Sequence, residues 1–360
     1  MTEEWLSKNE KITLYGLVRL PAANDRQLSG LIGLRLSTVT AIRNRLMGGC
    51  IVRPVRIPYL ERAGAELLAV CFTRLNPLMP REGMARVLKE VAGGTDEMFY
   101  AFADQFGMMS FFLCRNFSDA WNATERAAAL LADRGALSPD FSRQDTALFP
   151  LDQTRFLRFF DFSRLLWARF GPGLPEPAGQ PNLKAEKAAP RRMSRLEKRV
   201  YLGLTRYPAL SDIGVGQRIG VSRQTVSKLR KRFLSERLLV LAQVPDFLGM
   251  GAGMISVLRQ EFAPGVSMSM RRKGIEWSLR ELPAFFHLAS GSEGIMILLE
   301  NSFEDLQRHM GEAARYTVDK GLLKKDPCIV NFAVRDIFIV KDLNFAPAVK
   351  RILGVNEKVK

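Results

Sequence analysis

The sequence contains little of the chemistry that most enzymes use, with only two histidines, His287 and His309, in 360 residues. Neither histidine has a nearby Ser, Cys or acidic residue at the spacing of a catalytic triad or a metal site. The glycine-rich run at 249–254 is not followed by a helical pattern, so no dinucleotide fingerprint is present. We therefore expect no catalytic residue, no cofactor and no metal, and a protein that is not an enzyme.

Cysteines and long apolar runs are also scarce. The four cysteines lie too far apart for a metal knuckle or redox motif, and we expect them to be reduced core thiols. They are Cys50, Cys71, Cys114 and Cys328. No apolar run approaches the ~20 residues of a membrane-spanning helix, and the polar start MTEEWLSKNE is unlike a signal peptide. These absences predict a cytoplasmic protein with no membrane partner.

Positive charge, in contrast, is abundant. The formal net charge is +16 and the sequence pI is about 10.0, which indicates a polyanionic partner. Residues 184–232 alone hold fourteen Lys and Arg against three acidic residues. For a cytoplasmic protein this pattern predicts double-stranded DNA as the partner.

The sequence contains an internal duplication. Residues 10–77 align without a gap with residues 197–264 and share 19 identities in 68 positions, against roughly four expected from average composition. Weaker similarity continues beyond them with a one-residue slip. A spacing of 187 residues is too long for a solenoid repeat. Each copy is therefore expected to be a pair of domains, and the Pro- and Gly-rich stretch 171–193 reads as the linker between the copies.

The stretch 220–239, GVSRQTVSKLRKRFLSERLL, has the pattern of a DNA-recognition helix. Ser222 is a suitable N-cap, and Val226, Leu229 and Phe233 form one apolar stripe. The opposite face carries donor-rich side chains of the kind that reach base edges and phosphates in the major groove. The predicted DNA-binding residues of this copy are Ser222, Arg223, Gln224, Thr225, Ser227, Lys228, Lys231 and Arg195.

The first copy has a weaker version of the same helix. Arg35 replaces the cap Ser222, and Ala41 replaces Lys228, so this helix has less positive charge. Its predicted DNA-binding residues are Ser37, Thr38, Thr40, Arg43 and Asn44. We therefore expect the winged helix of the second copy to supply the main DNA affinity and that of the first copy to bind a weaker or different half-site.

Patterns around these helices predict an α+β fold. Each copy begins with three helices and a short β-hairpin, the winged helix-turn-helix arrangement, in which Ser194 opens a capping box and Asp212 caps the middle helix. A βαββαβ order of the ferredoxin-like kind follows, with closing strands at 154–162 and 328–340. The predicted domains are 1–60, 64–170, 194–248 and 252–354.

The order of a winged helix-turn-helix and a βαββαβ domain resembles the leucine-responsive regulator family, Lrp/AsnC. IGVSRQTVSKLRKRFLSERLLV is similar to that family's recognition helix, and ASGSEGIMILLENSFEDLQRHM to its effector-domain hairpin and helix. The resemblance implies a prokaryotic transcription regulator, a pseudo-dimer within one chain, a small-effector site between the βαββαβ domains, and further homodimers. The acidic residue of the family's effector hairpin is absent near Gly107 and Gly294, which disfavours amino-acid binding in the family manner.

Two alternatives remain open. Siroheme decarboxylases resemble the same family, some of them as fused pairs, but they use histidines around a tetrapyrrole, and this sequence has few. The other alternative is a protein-interaction scaffold whose winged helices no longer bind DNA, which fits the first copy better than the second.

Overall fold

The computed structural model describes residues 6–140, 145–170, 176–177, 191–248 and 250–355. Most of the predicted linker, 171–193, lies outside these residues. The elements of the first copy are α1 (Lys8–Arg19), α2 (Asp25–Ile32), α3 (Leu36–Gly48), β1 (Val52–Pro58), α4 (Leu60–Ala63), β2 (Leu67–Arg74), α5 (Arg81–Gly94), β3 (Met98–Ala103), β4 (Gly107–Cys114), α6 (Phe117–Asp133), β5 (Asp145–Pro150), β6 (Arg155–Phe159) and α7 (Ser163–Phe170).

The second copy repeats this order, and its described residues contain no counterpart of α4. Its elements are α8 (Arg195–Arg206), α9 (Asp212–Ile219), α10 (Arg223–Ser235), β7 (Leu239–Pro245), β8 (Met254–Glu261), α11 (Met268–Glu281), β9 (Ala284–Ala289), β10 (Glu293–Glu300), α12 (Phe303–Asp319), β11 (Cys328–Ala333), β12 (Phe338–Lys341) and α13 (Ala346–Leu353). Equivalent elements begin 187 residues apart up to α5 and α11, 186 apart from β3 to α6, and 183 apart from β5 onward. The duplication predicted from the sequence is confirmed and extends to the last helix of each copy.

The chain divides into two compact units that each combine parts of both copies. Unit 1 consists of Met1–Pro54, Thr154–Leu183 and Leu241–Arg335, and unit 2 of Val55–Gln153, Lys184–Val240 and Asp336–Lys360. Each unit thus joins the first three helices of one copy to the βαββαβ domain of the other. Within unit 1, α7 contacts both α1 and β9, and within unit 2, α13 contacts both α8 and β3.

Each unit has one five-stranded sheet whose edge strand comes from the other copy. The strand order is β11-β8-β10-β9-β6 in unit 1 and β12-β3-β4-β2-β5 in unit 2. In unit 1, Arg158 of β6 pairs in register with His287 of β9. In unit 2, Phe338 of β12 pairs with Ala103 of β3. The four other strands of each sheet have the ferredoxin-like order.

Two predicted strand assignments are therefore wrong. The strand predicted at 154–162 does not close the first βαββαβ domain, because β5 pairs with β2 and fills that place. The stretch 328–340 is two strands, β11 and β12, that belong to different sheets. Nor does each copy form its own β-hairpin wing, since β1 and β7 pair with each other in a two-stranded sheet. Alternating apolar residues identify a strand but not its partner.

The helices begin where the local sequence satisfies their first amide groups. Ser194 and Glu197 form the predicted capping box of α8, with Ser194 N donating to Glu197 Oε2 at 2.8 Å. The N-cap of α9 is Ser211, not Asp212. Asp212 is the first residue of that helix, where its carboxylate accepts hydrogen bonds from Arg230 of α10.

The cysteines lie in two different environments. Cys71 and Cys114 are buried in the apolar core of unit 2, and burial raises the pKa of the Cys71 thiol to about 12. Cys50 and Cys328 are exposed, so the expectation of core thiols is wrong for these two. All four are free thiols. No helix in the described ranges is both long enough and apolar enough to cross a lipid bilayer.

Candidate functional site

The recognition helix predicted from the sequence is α10 of unit 2. Its apolar stripe, Val226, Leu229 and Phe233, is buried, as predicted. The opposite face is exposed and carries Ser222, Arg223, Gln224, Lys228 and Lys231. Ser222 is the N-cap, and its hydroxyl accepts a hydrogen bond from Thr225 N at 3.3 Å.

A close turn fixes this helix against α9. Gly220 ends α9 in the left-handed region with φ 63°, a conformation that glycine adopts without strain. Gly216 lies directly under the turn, where an added Cβ would come 2.4 Å from the carbonyl oxygen of Val221. Arg230 Nε and Nη2 donate to the two carboxylate oxygens of Asp212 at 2.8 and 3.0 Å. Although burial opposes ionisation of Asp212, the Arg230 hydrogen bonds hold its pKa below the ordinary value.

The remaining predicted residues of the second copy are less accessible or lie outside α10. Thr225 and Ser227 are half-buried in α10. Arg195 is the first residue of α8 and is exposed. Within α10 itself, the exposed members of the predicted set with long donor side chains are therefore Arg223, Gln224, Lys228 and Lys231.

The equivalent helix of unit 1, α3, uses two of its predicted DNA-binding residues inside the fold. Thr40 Oγ1 donates to Asp25 Oδ2 at 2.6 Å, and Arg43 Nη1 donates to Asp25 Oδ1 at 2.5 Å. Arg43 and Asp25 are the counterparts of Arg230 and Asp212, so both copies hold their third helix with the same ion pair. Thr38 is half-buried, and only Ser37 and Asn44 of the predicted set are exposed.

Unit 1 also contains a cavity of about 290 Å³ that the sequence did not predict. It lies where α7, the end of α11, the end of β10 and α12 meet. Charged side chains dominate its lining. They are Arg164, Arg169, Arg280, Arg308 and His309, and on the acidic side Glu281, Glu300 and Asp305.

His309 and Glu300 form a hydrogen-bonded pair that lines this cavity. His309 Nδ1 lies 3.0 and 3.1 Å from the two carboxylate oxygens of Glu300, whose side chain is only 2% exposed. The hydrogen bond to Glu300 raises the pKa of His309 above its ordinary value, against the opposing effect of burial. More of the imidazole is therefore protonated near neutral pH than in an isolated histidine.

Arg169 differs from the other arginines of the cavity in its ion pairing. Arg280 pairs with Glu281 at 2.6 Å and Arg308 with Asp305 at 2.5 Å. Arg164 pairs with Glu176. Arg169, in contrast, has no ion pair or hydrogen bond to any residue that the structure describes, and burial lowers its pKa. A partly desolvated guanidinium without a counter-charge favours an anionic ligand.

The second histidine lies elsewhere. His287 is 3% exposed on β9, and its Nδ1 has no hydrogen-bond partner in the described part of the chain. Burial and the neighbouring Arg158 guanidinium lower its pKa to about 3, so it is neutral in the folded protein. The described residues contain no group of three or more His, Cys, Asp or Glu arranged to hold a metal ion.

Solved structures of the siroheme decarboxylase NirDL match the chain over nearly its full length. One has a TM-score of 0.53 at 10% identity and covers 96% of this chain and 98% of NirDL. NirDL in complex with an iron-uroporphyrin III analogue has a TM-score of 0.51 at 10% identity and covers 97% and 100%. AsnC of E. coli covers 39% of this chain and 93% of its own at 12% identity, with a TM-score of 0.31. No protein-family model and no curated protein sequence matches the chain.

The predicted fold class is confirmed: the chain is an α+β protein of helix-turn-helix and ferredoxin-like domains. The expectation that the chain is not an enzyme is contradicted, because two solved structures that match it over nearly its full length are of an enzyme, siroheme decarboxylase NirDL. That prediction was wrong because a small number of histidines does not exclude an enzyme. His309 lies in an arginine-lined cavity whose parts are far apart in the sequence, so the sequence did not show the cavity.

Proposed function

We propose that the chain is an enzyme that decarboxylates a carboxylated tetrapyrrole of the siroheme class, with the unit 1 cavity as its active site. The observation that carries the proposal is Arg169, a partly buried cation in the cavity wall with no counter-charge among the described residues. The full-length likeness to siroheme decarboxylase NirDL supports an enzyme on this fold. The arginines supply the positive charge that a polycarboxylate requires.

The dimensions of the cavity limit how such a substrate binds. At about 290 Å³ the cavity is slightly smaller than the roughly 300–1,000 Å³ typical of ligand pockets. It admits a carboxylate-bearing edge of the macrocycle and not the whole ring. Arg169 is the residue we assign to hold a substrate carboxylate, because its guanidinium needs no existing ion pair to be broken first.

Decarboxylation breaks the bond between the carboxyl carbon and its neighbour, and the electron pair left behind must take up a proton. The tetrapyrrole supplies the conjugated system that delocalises this electron pair. His309 supplies the proton, since Glu300 favours its protonated form. Glu300 then stabilises the position of the imidazole while solvent reprotonates it.

The test is anaerobic incubation of the purified protein with siroheme, with released carbon dioxide and the mass of the product measured. We expect turnover by the wild type and a loss of about 10²–10⁴-fold in kcat for His309→Gln with little change in substrate affinity. Arg169→Met should mainly weaken binding. Arg272→Ala is the matched control, because Arg272 is an exposed arginine of unit 1 paired with Glu276 outside the cavity. Absence of both binding and carbon dioxide release would contradict the proposal.

We propose a second function, binding of double-stranded DNA by α10. The observation that favours it is the exposed, donor-rich face of Arg223, Gln224, Lys228 and Lys231 on a helix held by the Arg230–Asp212 ion pair. This arrangement suits sequence-specific recognition in the major groove and, with it, regulation of transcription. A small-effector site between the βαββαβ domains, the pseudo-dimer and homodimerisation stay predictions.

Selection of bound fragments from random duplex DNA, followed by anisotropy titration, tests this function. Arg223→Ala should cost about 1–3 kcal/mol on the selected sequence and relax the preference at one position. Lys228→Ala should weaken binding to all sequences and lower the salt slope by about one. Arg272→Ala again serves as the control. Equal binding by wild type and by the double variant of Arg223 and Lys228 would exclude α10 as the DNA-binding helix.

A further inference from the structure

The last helices of the two copies, α7 and α13, occupy equivalent places in their units. In unit 1, Phe162 stacks on Phe285 with ring centroids 4.7 Å apart, and Asp161 N donates to Phe285 O at 2.9 Å. In unit 2, Phe345 stacks on Phe99 at 4.6 Å. Asn344 N donates to Phe99 O at 2.8 Å. These paired contacts align α7 with α13 residue by residue, so that Ala168 is the counterpart of Arg351.

In unit 2 the place that corresponds to the unit 1 cavity is filled by an arginine. Arg351 Nε lies 2.9 Å from Glu97 Oε1, and its Nη2 donates to Asp119 Oδ1. Glu97 is only 1% exposed and also accepts hydrogen bonds from Arg126 at 2.8 Å. Asp119 accepts a backbone hydrogen bond from Arg115 N at 3.1 Å. The guanidinium of Arg351 therefore bridges two buried carboxylates of unit 2, Glu97 and Asp119.

In unit 1 the residues at the equivalent positions leave the cavity open. Ala168 stands where Arg351 stands, so the long side chain is missing. Pro283 stands where Glu97 stands, which removes one of the two carboxylates. The second carboxylate remains as Asp305, the counterpart of Asp119, but it binds Arg308 on its own helix. Ala168, Pro283 and Asp305 all line the cavity.

We infer that the duplicated chain has one open ligand site, in unit 1, and that Arg351 permanently occupies the equivalent place in unit 2. The inference rests on the proposed function for the identity of the ligand, a carboxylated tetrapyrrole. It adds that the chain binds one equivalent and not two. It also attributes the difference in ligand binding between the two units to two pairs of equivalent positions. One pair is Ala168 and Arg351, and the other is Pro283 and Glu97.

Absorbance titration with iron-uroporphyrin III measures the number of sites per chain. We expect one equivalent for the wild type, binding at least tenfold weaker for Ala168→Arg, and unchanged binding for Ala168→Ser. Arg351→Ala should still bind one equivalent, because Glu97 remains in the place it opens and the neighbouring Arg126 is already paired with Glu97, which leaves no unpaired cation there for a substrate carboxylate. Two equivalents in the wild type, or one equivalent that Ala168→Arg does not affect, would overturn the inference. No binding by any variant would overturn the proposed function instead.

A second measurement decides the role of Arg351 without any tetrapyrrole. Arg351→Ala leaves Glu97 and Asp119 without their shared cation, and we expect the melting temperature of unit 2 to fall on the order of 5–10 °C. Millimolar methylguanidinium chloride should restore part of this loss in the variant and should not stabilise the wild type, with sodium chloride as the control salt. If Arg351→Ala does not fold, Arg351→Lys serves in its place, since one ammonium does not bridge both carboxylates as the guanidinium fork does. A variant as stable as the wild type, or an equal response of both proteins to methylguanidinium, would refute the assignment.

Discussion

Acidification should destabilise unit 1 through His287. This histidine is fully enclosed on β9 beside Arg158, and its pKa in the folded protein is about 3, against about 6.5 for an exposed histidine. The folded-state pKa lies below the unfolded-state pKa, so the unfolded chain binds the proton more strongly. Stability is therefore complete above about pH 6.5 and falls as the pH drops from there toward 3.

The magnitude follows from the two pKa values. At pH 5 the unfolded histidine is about 1.5 pH units below its pKa, while the folded histidine is still neutral. One pKa unit corresponds to about 1.4 kcal/mol, so the loss at pH 5 is about 2 kcal/mol. His309 acts in the opposite direction, because its folded-state pKa is raised and its contribution is lost as the pH rises through that value.

Urea unfolding of the wild type and of His287→Gln at pH 7.5 and pH 5 isolates this effect. The contribution of His309 and of all carboxylates is present in both proteins and cancels in the comparison. We expect the wild type to lose about 2 kcal/mol more than His287→Gln between the two pH values. An equal loss in both proteins would show that His287 does not remain neutral inside the fold, and the reasoning from burial and Arg158 would fail.

Two further predictions concern the helix-turn-helix elements. Gly216→Ala should destabilise unit 2 by about 1–3 kcal/mol in urea unfolding, because the added Cβ would clash with Val221 O. Gly216→Ser should cost about 1 kcal/mol less, since Ser29, at the equivalent position of the first copy, donates a hydrogen bond to Leu34 O at 2.6 Å. Equal losses for the two variants would contradict this account. Ser222→Ala should cost unit 2 about 1 kcal/mol, whereas Arg35→Ser, at an N-cap that has no side-chain hydrogen bond, should stabilise unit 1 by a similar amount. The same urea unfolding measurements would disprove the capping argument if both changes were neutral.

The features that depend on nearby residues were predictable from the sequence. The cap Ser222 and the stripe of Val226, Leu229 and Phe233 fixed α10 and its buried face, because both signals lie within one helix. The 187-residue spacing predicted the duplication, and strand and helix patterns predicted the βαββαβ order. Each of these signals is read within a window shorter than about twenty residues or by direct comparison of the copies.

The features that depend on distant residues were not predictable. Arg43 has the side chain of a DNA contact, but Asp25 of the neighbouring helix binds it. The cavity of unit 1 arises from small side chains on α7 and before β9 that have no pattern of their own. Comparison of Ala168 with Arg351 would have revealed it, but that alignment becomes visible only when the phenylalanine stacks show how the two helices correspond.

The exchanged strands constrain how the chain is made on the ribosome. Arg158 of β6 hydrogen-bonds to Ala284, 126 residues later, and Lys341 of β12 reaches back 249 residues to Ala92. When the first copy has emerged, β6 has no sheet to join, and β3 remains an open edge until β12 has been added. Such an edge on a nascent chain is prone to pairing with other chains. Each copy made as a separate fragment would therefore contain a sheet that lacks its fifth strand.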